Sequence, residues 1–159
     1  MGPSPHIAAA DVILNLQATD KQAVLEALST EAAQRLGRAR EEILDALESR
    51  ERLGSTALGR GVALPHARLA GNDPPLMLFA RLQRPIAFEA RDEVPVDLVV
   101  LVLWPEASPE GFLPTLSDAC RALRSTQALR RLRQAGTPAE VASLLEREAQ
   151  GDGDTADGE

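Results

Sequence analysis

Val24, Leu25, Leu28, Ala32 and Leu36 recur at the three-to-four-residue spacing of one helix face. Thr19 stands ahead of them as the expected N-cap, and Gly37 supplies a residue that can end the helix in a left-handed conformation. A second helix is predicted with Ile43, Leu44 and Leu47 on its apolar face and Arg50 and Arg52 in its last turn. Cations there suit the negative end of the helix dipole. Gly54 stops it. A glycine-punctuated loop then runs from Gly54 to Gly61, followed by the short apolar run Val62-Ala63-Leu64-Pro65. Leu76 to Leu82 predicts a strand, introduced by the turn Gly71-Asn72-Asp73-Pro74-Pro75. Val96 to Leu103 is nearly all β-branched or Leu, which predicts a central strand buried on both faces, bracketed by Pro95 and Pro105.

The remainder is helical. Leu116, Ala119, Cys120 and Leu123 share a face, and Pro114 places the start of that helix near residue 112 rather than at Pro109. Leu129 and Leu132 mark a short second helix. Thr137-Pro138-Ala139-Glu140 is a capping box ahead of Val141, Leu144 and Leu145. Helices before and after a strand-rich middle predict a layered α/β architecture. One domain over residues 9–149 is expected, without internal repeats, between a disordered Pro-rich tail (1–8) and a disordered acidic tail (150–159).

Charge narrows the function. The chain of 159 residues carries a net charge of -7, with Lys21 its only lysine, so it lacks the positive footprint of a nucleic-acid binder. Aromatics make up 3% with no Tyr, which also argues against base stacking. No apolar run approaches the roughly 18 residues of a membrane span, and the start lacks the basic and apolar regions of a signal peptide. A cytoplasmic protein without membrane insertion is expected. Cys120, the single cysteine, sits on an apolar helix face and reads as core filler, and Trp104 reads as packing against loop residues.

Two histidines remain. His6 lies in the tail without a partner. His66 follows a short apolar strand directly after Pro65, with Arg68 two residues on. Gly59 and Gly61 allow close backbone approach, and the N–H groups of such a loop can form an anion-binding concavity. From residue types alone, a partly exposed loop histidine is the better description. A metal site is not expected, because one His without Cys or a second His cannot complete it, and no cofactor is expected. A triad of Ser55, His66 and Asp73 lacks a nucleophile elbow, and no GKS or GKT follows the glycines.

Arg50-Glu51-Arg52-Leu53-Gly54-Ser55-Thr56, followed by Gly59-Arg60-Gly61-Val62-Ala63-Leu64-Pro65-His66, resembles the active-site segment of the fructose/mannitol-type IIA domain of the bacterial phosphoenolpyruvate-dependent phosphotransferase system. Pro85-Ile86-Ala87-Phe88 and Pro95-Val96-Asp97-Leu98 resemble that family's second signature. The likeness covers about residues 10–148 and is strongest to the nitrogen-regulatory branch. It implies a central mixed β-sheet flanked by helices on both faces, with His66 phosphorylated on Nε2 by an HPr-type phosphocarrier protein. It also implies that Arg50 lies beside the phosphoryl group. Those residue types suit the chemistry: neutral imidazole is nucleophilic near pH 7, and a guanidinium fork neutralises phosphoryl oxygens. Ser55 and Thr56 are candidates either to hydrogen-bond phosphate or to cap the loop. Arg68 is either a second phosphate contact or solvated surface. The chain departs from the family pattern at Phe112, where many members carry a second histidine, and Phe cannot donate a hydrogen bond to a phosphoryl oxygen.

Three functions compete. The leading one is a regulatory phosphoryl carrier whose state alters binding to a regulated target protein. The second passes phosphate to a IIB domain for fructose or mannitol. The third binds proteins without being phosphorylated.

Overall fold

The computed structural model describes residues 6–149. Most of both expected tails therefore lies outside the described residues. Ile7 is already buried against the core, so packing reaches back before the expected boundary at residue 9.

A 3-10 turn over Ala9–Asp11 leads into β1 (Val12–Leu16). Helices α1 (Lys21–Leu36) and α2 (Arg40–Arg52) follow, then the short strands β2 (Ala57–Gly59), β3 (Val62–Ala63) and β4 (His66–Leu69). The long strands β5 (Leu76–Ile86) and β6 (Val96–Pro105) precede α3 (Phe112–Ala122), α4 (Thr126–Gln134) and α5 (Pro138–Ala149). The helix expectations hold, including the start of α3 at Phe112, where Pro114 falls in a first turn that needs no N–H from it. The N-cap of α1 is a correction: it is Asp20, not Thr19. The Asp20 carboxylate accepts from Ala23 N at 2.8 Å, placing a negative charge at the positive end of the dipole.

The sheet is mixed. Its order is β1-β5-β6-β3-β2, with β4 also on β6. β1 runs parallel to β5, β5 antiparallel to β6, and β3 and β4 both parallel to β6. β6 is the central strand that its continuous apolar run predicts, and its side chains sort by alternation. Val99, Leu101 and Leu103 face the core shared with α1 and α2, whereas Leu98, Val100, Val102 and Trp104 face α3, α4 and α5. Helices thus cover both faces, as expected.

β3 and β4 are one strand interrupted at Leu64-Pro65. The register is the same on both sides of the gap: Val62 lies opposite Leu98 and His66 opposite Val102. Pro65 has no N–H to offer the ladder, while its carbonyl still accepts from Val102 N at 3.1 Å. β4 has no outer strand among the described residues, so its first residue stands at a free edge.

The turn Gly59-Arg60-Gly61 has three consecutive positive φ angles of 93°, 60° and 82°. The expected anion-binding concavity there is already filled by the protein itself: Arg60 N donates to Asp92 Oδ2 at 2.8 Å. A Cβ on Gly61 would stand 2.6 Å from Arg133 Nη2 and 3.1 Å from Asp97 Oδ1, so this glycine makes room for an ion pair.

On the first face, Ser29 of α1 is fully buried and its hydroxyl has no hydrogen-bond partner among the described residues. Desolvating an unpaired hydroxyl is unfavourable, and Ala is the better helix former. Ser29→Ala should therefore raise stability by about 1 kcal/mol in urea unfolding; a loss of that size would show a missed partner.

Candidate functional site

The last turn of α2, the segment 53–56, the edge strand β4 and the start of α3 converge on His66. Its Nδ1 lies 2.8 Å from Leu64 O, and Arg50 Nε points at its Nε2 from 3.2 Å. These two contacts fix the tautomer. A carbonyl only accepts and a guanidinium only donates, so the ring proton sits on Nδ1 and Nε2 carries a lone pair. Pro65 restrains Leu64 to extended backbone, and the Leu64 carbonyl turns toward the ring two residues on.

Arg50 is itself held. Its Nη1 donates to Gly54 O at 2.8 Å, four residues on, across the end of α2. Beyond the bonds to His66 and Gly54, its guanidinium N–H groups have no partner among the described residues, which leaves Nη2 available for a further acceptor.

Phe112 stands edge-on to the imidazole, with ring centroids 6.0 Å apart at 63°. Trp104 backs Phe112 at 5.7 Å, and its Nε1 donates to Ser108 O at 3.0 Å. Trp104 therefore packs against the loop that leads into α3, as expected. Arg68 lies on the same strand face as His66, exposed, with no ion pair among the described residues. Cys120 is partly buried against the second core, as filler.

The hydroxyl protons of Ser55 and Thr56 are both engaged within the protein. The Ser55 hydroxyl donates to Phe88 O at 2.6 Å and accepts from Ala57 N at 3.1 Å. The Thr56 hydroxyl is buried and donates to Glu51 Oε1, while Thr56 N donates to Glu51 Oε2 at 3.2 Å. These bonds hold the loop, in keeping with the capping alternative of the sequence. Glu51, which sequence reasoning passed over, is paired with Lys21 Nζ at 2.7 Å. Its signal was its position: an acid in the last turn of a helix opposes the dipole and calls for compensation.

Burial is the main cause that pushes the His66 pKa below the usual 6.5, and the Arg50 charge adds to it; the bond to Leu64 and the Glu51 charge oppose. The imidazole is therefore neutral and nucleophilic at pH 7. The folded state binds fewer protons than the unfolded one, so stability rises with pH through this window and falls as pH drops below 6.5. An NMR titration should put the His66 midpoint below 6.5, and Arg50→Ala should move it up. Wild type should lose more stability than His66→Gln between pH 7 and pH 5. Equal losses would contradict the shift.

Among the described residues, no helix is long and apolar enough to cross a membrane.

Residues 6–148 match the family described as phosphoenolpyruvate-dependent sugar phosphotransferase system, EIIA 2. The chain is 38% identical over 144 residues to a nitrogen regulatory protein of Bradyrhizobium diazoefficiens, covering 90% of this chain and 94% of that one. It is 34% identical over 106 residues to the fructose-specific EIIA component of Haloferax volcanii, covering 67% and 69%. The crystal structure of nitrogen regulatory protein IIA-Ntr from Neisseria meningitidis superposes with a TM-score of 0.83 at 28% identity, covering 87% of this chain and 95% of that chain. With a match running almost from end to end of the described residues, this chain belongs to the EIIA 2 family of the phosphoenolpyruvate-dependent sugar phosphotransferase system.

Proposed function

We propose that His66 accepts a phosphoryl group on Nε2 from a phosphohistidine carrier of the HPr type, and that the phosphorylation state governs binding to a regulated target protein. The observation that carries this reading is the tautomer: Leu64 O holds the Nδ1 proton, so the lone pair of Nε2 faces the guanidinium of Arg50. In the transfer, Nε2 attacks phosphorus and the phosphorus–nitrogen bond of the donor breaks. The bonding pair returns to the donor ring. The proton stays on Nδ1, hydrogen-bonded to Leu64 O, so the positive charge gained by one imidazole ring is the charge given up by the other.

Phosphoryl transfer asks mainly for positioning and for neutralisation of the equatorial oxygens. Arg50 supplies both, exchanging its contact with Nε2 for contacts to phosphate through Nε and Nη2. Arg68, on the same strand face and with no ion pair among the described residues, adds a second positive charge. No metal or cofactor enters the step. A protein donor has to reach contact distance, and the rim suits one. Leu53, just after α2, is 83% exposed, and Leu113, next to Phe112, is 71% exposed. Two exposed leucines on the elements that build the site supply apolar contact for a docking carrier. The partners in this reading are cytoplasmic proteins, and the setting follows from them.

A second reading has its own observation. Phe112 covers one flank of the imidazole with a ring that offers no hydrogen bond, which suits a regulator that binds its target unphosphorylated. The likeness to the fructose-specific component of Haloferax volcanii also keeps a sugar-transport relay through a IIB domain in view.

Incubation with phosphoenolpyruvate, enzyme I and an HPr-type carrier should add one acid-labile phosphoryl group to wild type and to His6→Ala, but none to His66→Ala. Arg50→Ala should slow labelling at least tenfold, equivalent to about 1.4 kcal/mol of barrier. Absence of wild-type labelling selects the unphosphorylated regulator, and onward passage to a IIB domain selects the sugar relay.

A further inference from the structure

Arg50 aims at His66 from the end of a helix, where side chains and carbonyls are usually loose. What stiffens this end is a clamp on the first residues beyond it. Both oxygens of the Glu51 carboxylate close on Thr56, one on its N–H and one on its hydroxyl. The closed ring of chain contains Gly54, whose carbonyl accepts from Arg50 Nη1 at 2.8 Å. The Glu51 side chain is only 6% exposed, and Lys21 Nζ, 2.7 Å away, neutralises it. Lys21 also pairs with Glu89 at 2.9 Å and lies 4.9 Å over the Phe88 ring, while Phe88 O takes the Ser55 hydroxyl. The first residue of α1, the end of α2 and the segment after β5 are thereby tied to one short loop.

We infer that Glu51, neutralised by Lys21 and gripping Thr56, is a positioning residue that orients the Gly54 carbonyl and through it the Arg50 guanidinium on His66. Glu51 touches neither the imidazole nor the incoming group; it acts by holding Arg50 still. Removing the carboxylate charge leaves Lys21 without its buried partner, and removing the Thr56 hydroxyl opens one half of the clamp. In either case the Gly54 carbonyl is free to turn, and Arg50 samples orientations that miss Nε2. The inference rests on the reading of His66 as phosphoryl acceptor for its kinetic consequence, but not for its geometry.

The test uses phosphoramidate, a small donor that needs no docking surface: the phosphoryl group moves to His66 Nε2 and ammonia leaves. Glu51→Gln and Thr56→Val should each slow labelling at least fivefold in the wild-type background and less than twofold in the Arg50→Ala background, because both act through Arg50. Thr56→Ser, which keeps the hydroxyl, should stay within twofold of wild type. The Arg50 Nε–H signal in NMR should lose its protection from solvent exchange in Glu51→Gln and Thr56→Val, and keep it in Glu89→Gln. Equal slowing in both backgrounds, or an unchanged Arg50 signal, overturns the inference. Should Glu51→Gln fail to fold, Thr56→Val carries the same comparison. Should wild type take no label from phosphoramidate or carrier, the acceptor reading fails, and the Arg50 signal alone decides the positioning role.

Discussion

The site depends on one hydrogen bond, from His66 Nδ1 to the carbonyl of Leu64, two residues back along the same chain. It exists because a strand is broken at Leu64-Pro65 and resumes in register at His66, now at the sheet edge. The break frees a carbonyl at the place where an imidazole needs an acceptor. With the proton pinned on Nδ1, Nε2 has no choice but to present its lone pair, and a cation that can only donate is the fitting neighbour. Partial burial and that cation keep the ring neutral, and neutrality is what a nitrogen nucleophile requires.

The rest of the fold is arranged around that edge. β6 anchors β4 from the inner side by a parallel ladder, so His66 inherits the rigidity of the most buried strand in the protein. From one face α2 brings Arg50; from the other α3 brings Phe112. Each helix is fixed by its own apolar stripe on its own side of the sheet. The groups around His66 thus come from both layers and meet at a boundary that neither layer covers. A site so placed is open to a partner protein, and the exposed Leu53 and Leu113 lie just after α2 and in the first turn of α3.

The stripes of α1 and α2 and the apolar run of β6 were legible because strong periodicity over many residues leaves few alternatives. β1 has no legible pattern: it is a five-residue edge strand with one buried side chain, too short for a periodicity. β5 runs on to Ile86, beyond the end expected at Leu82, through polar residues that only the rejoining pair Ile86–Val96 explains. Asp20 displaced Thr19 as cap because two adjacent residues had the right chemistry and only backbone geometry chooses between them. The pairing of His66 with Arg50 came from resemblance, since a spacing of sixteen residues across a helix end and two short strands has no local signature. Ser55 and Thr56 show the reverse limit. Their hydroxyls suit a phosphate, but the sequence could not reveal that Phe88 and Glu51 already use them.

The account is tested most directly by a long-range proton–nitrogen NMR spectrum of the His66 imidazole near pH 7.5, which reads the tautomer without donor, partner or mutation. It predicts a ring protonated at Nδ1 with an unprotonated Nε2. A ring protonated at Nε2 would contradict it, because that nitrogen could then neither accept from Arg50 nor attack phosphorus.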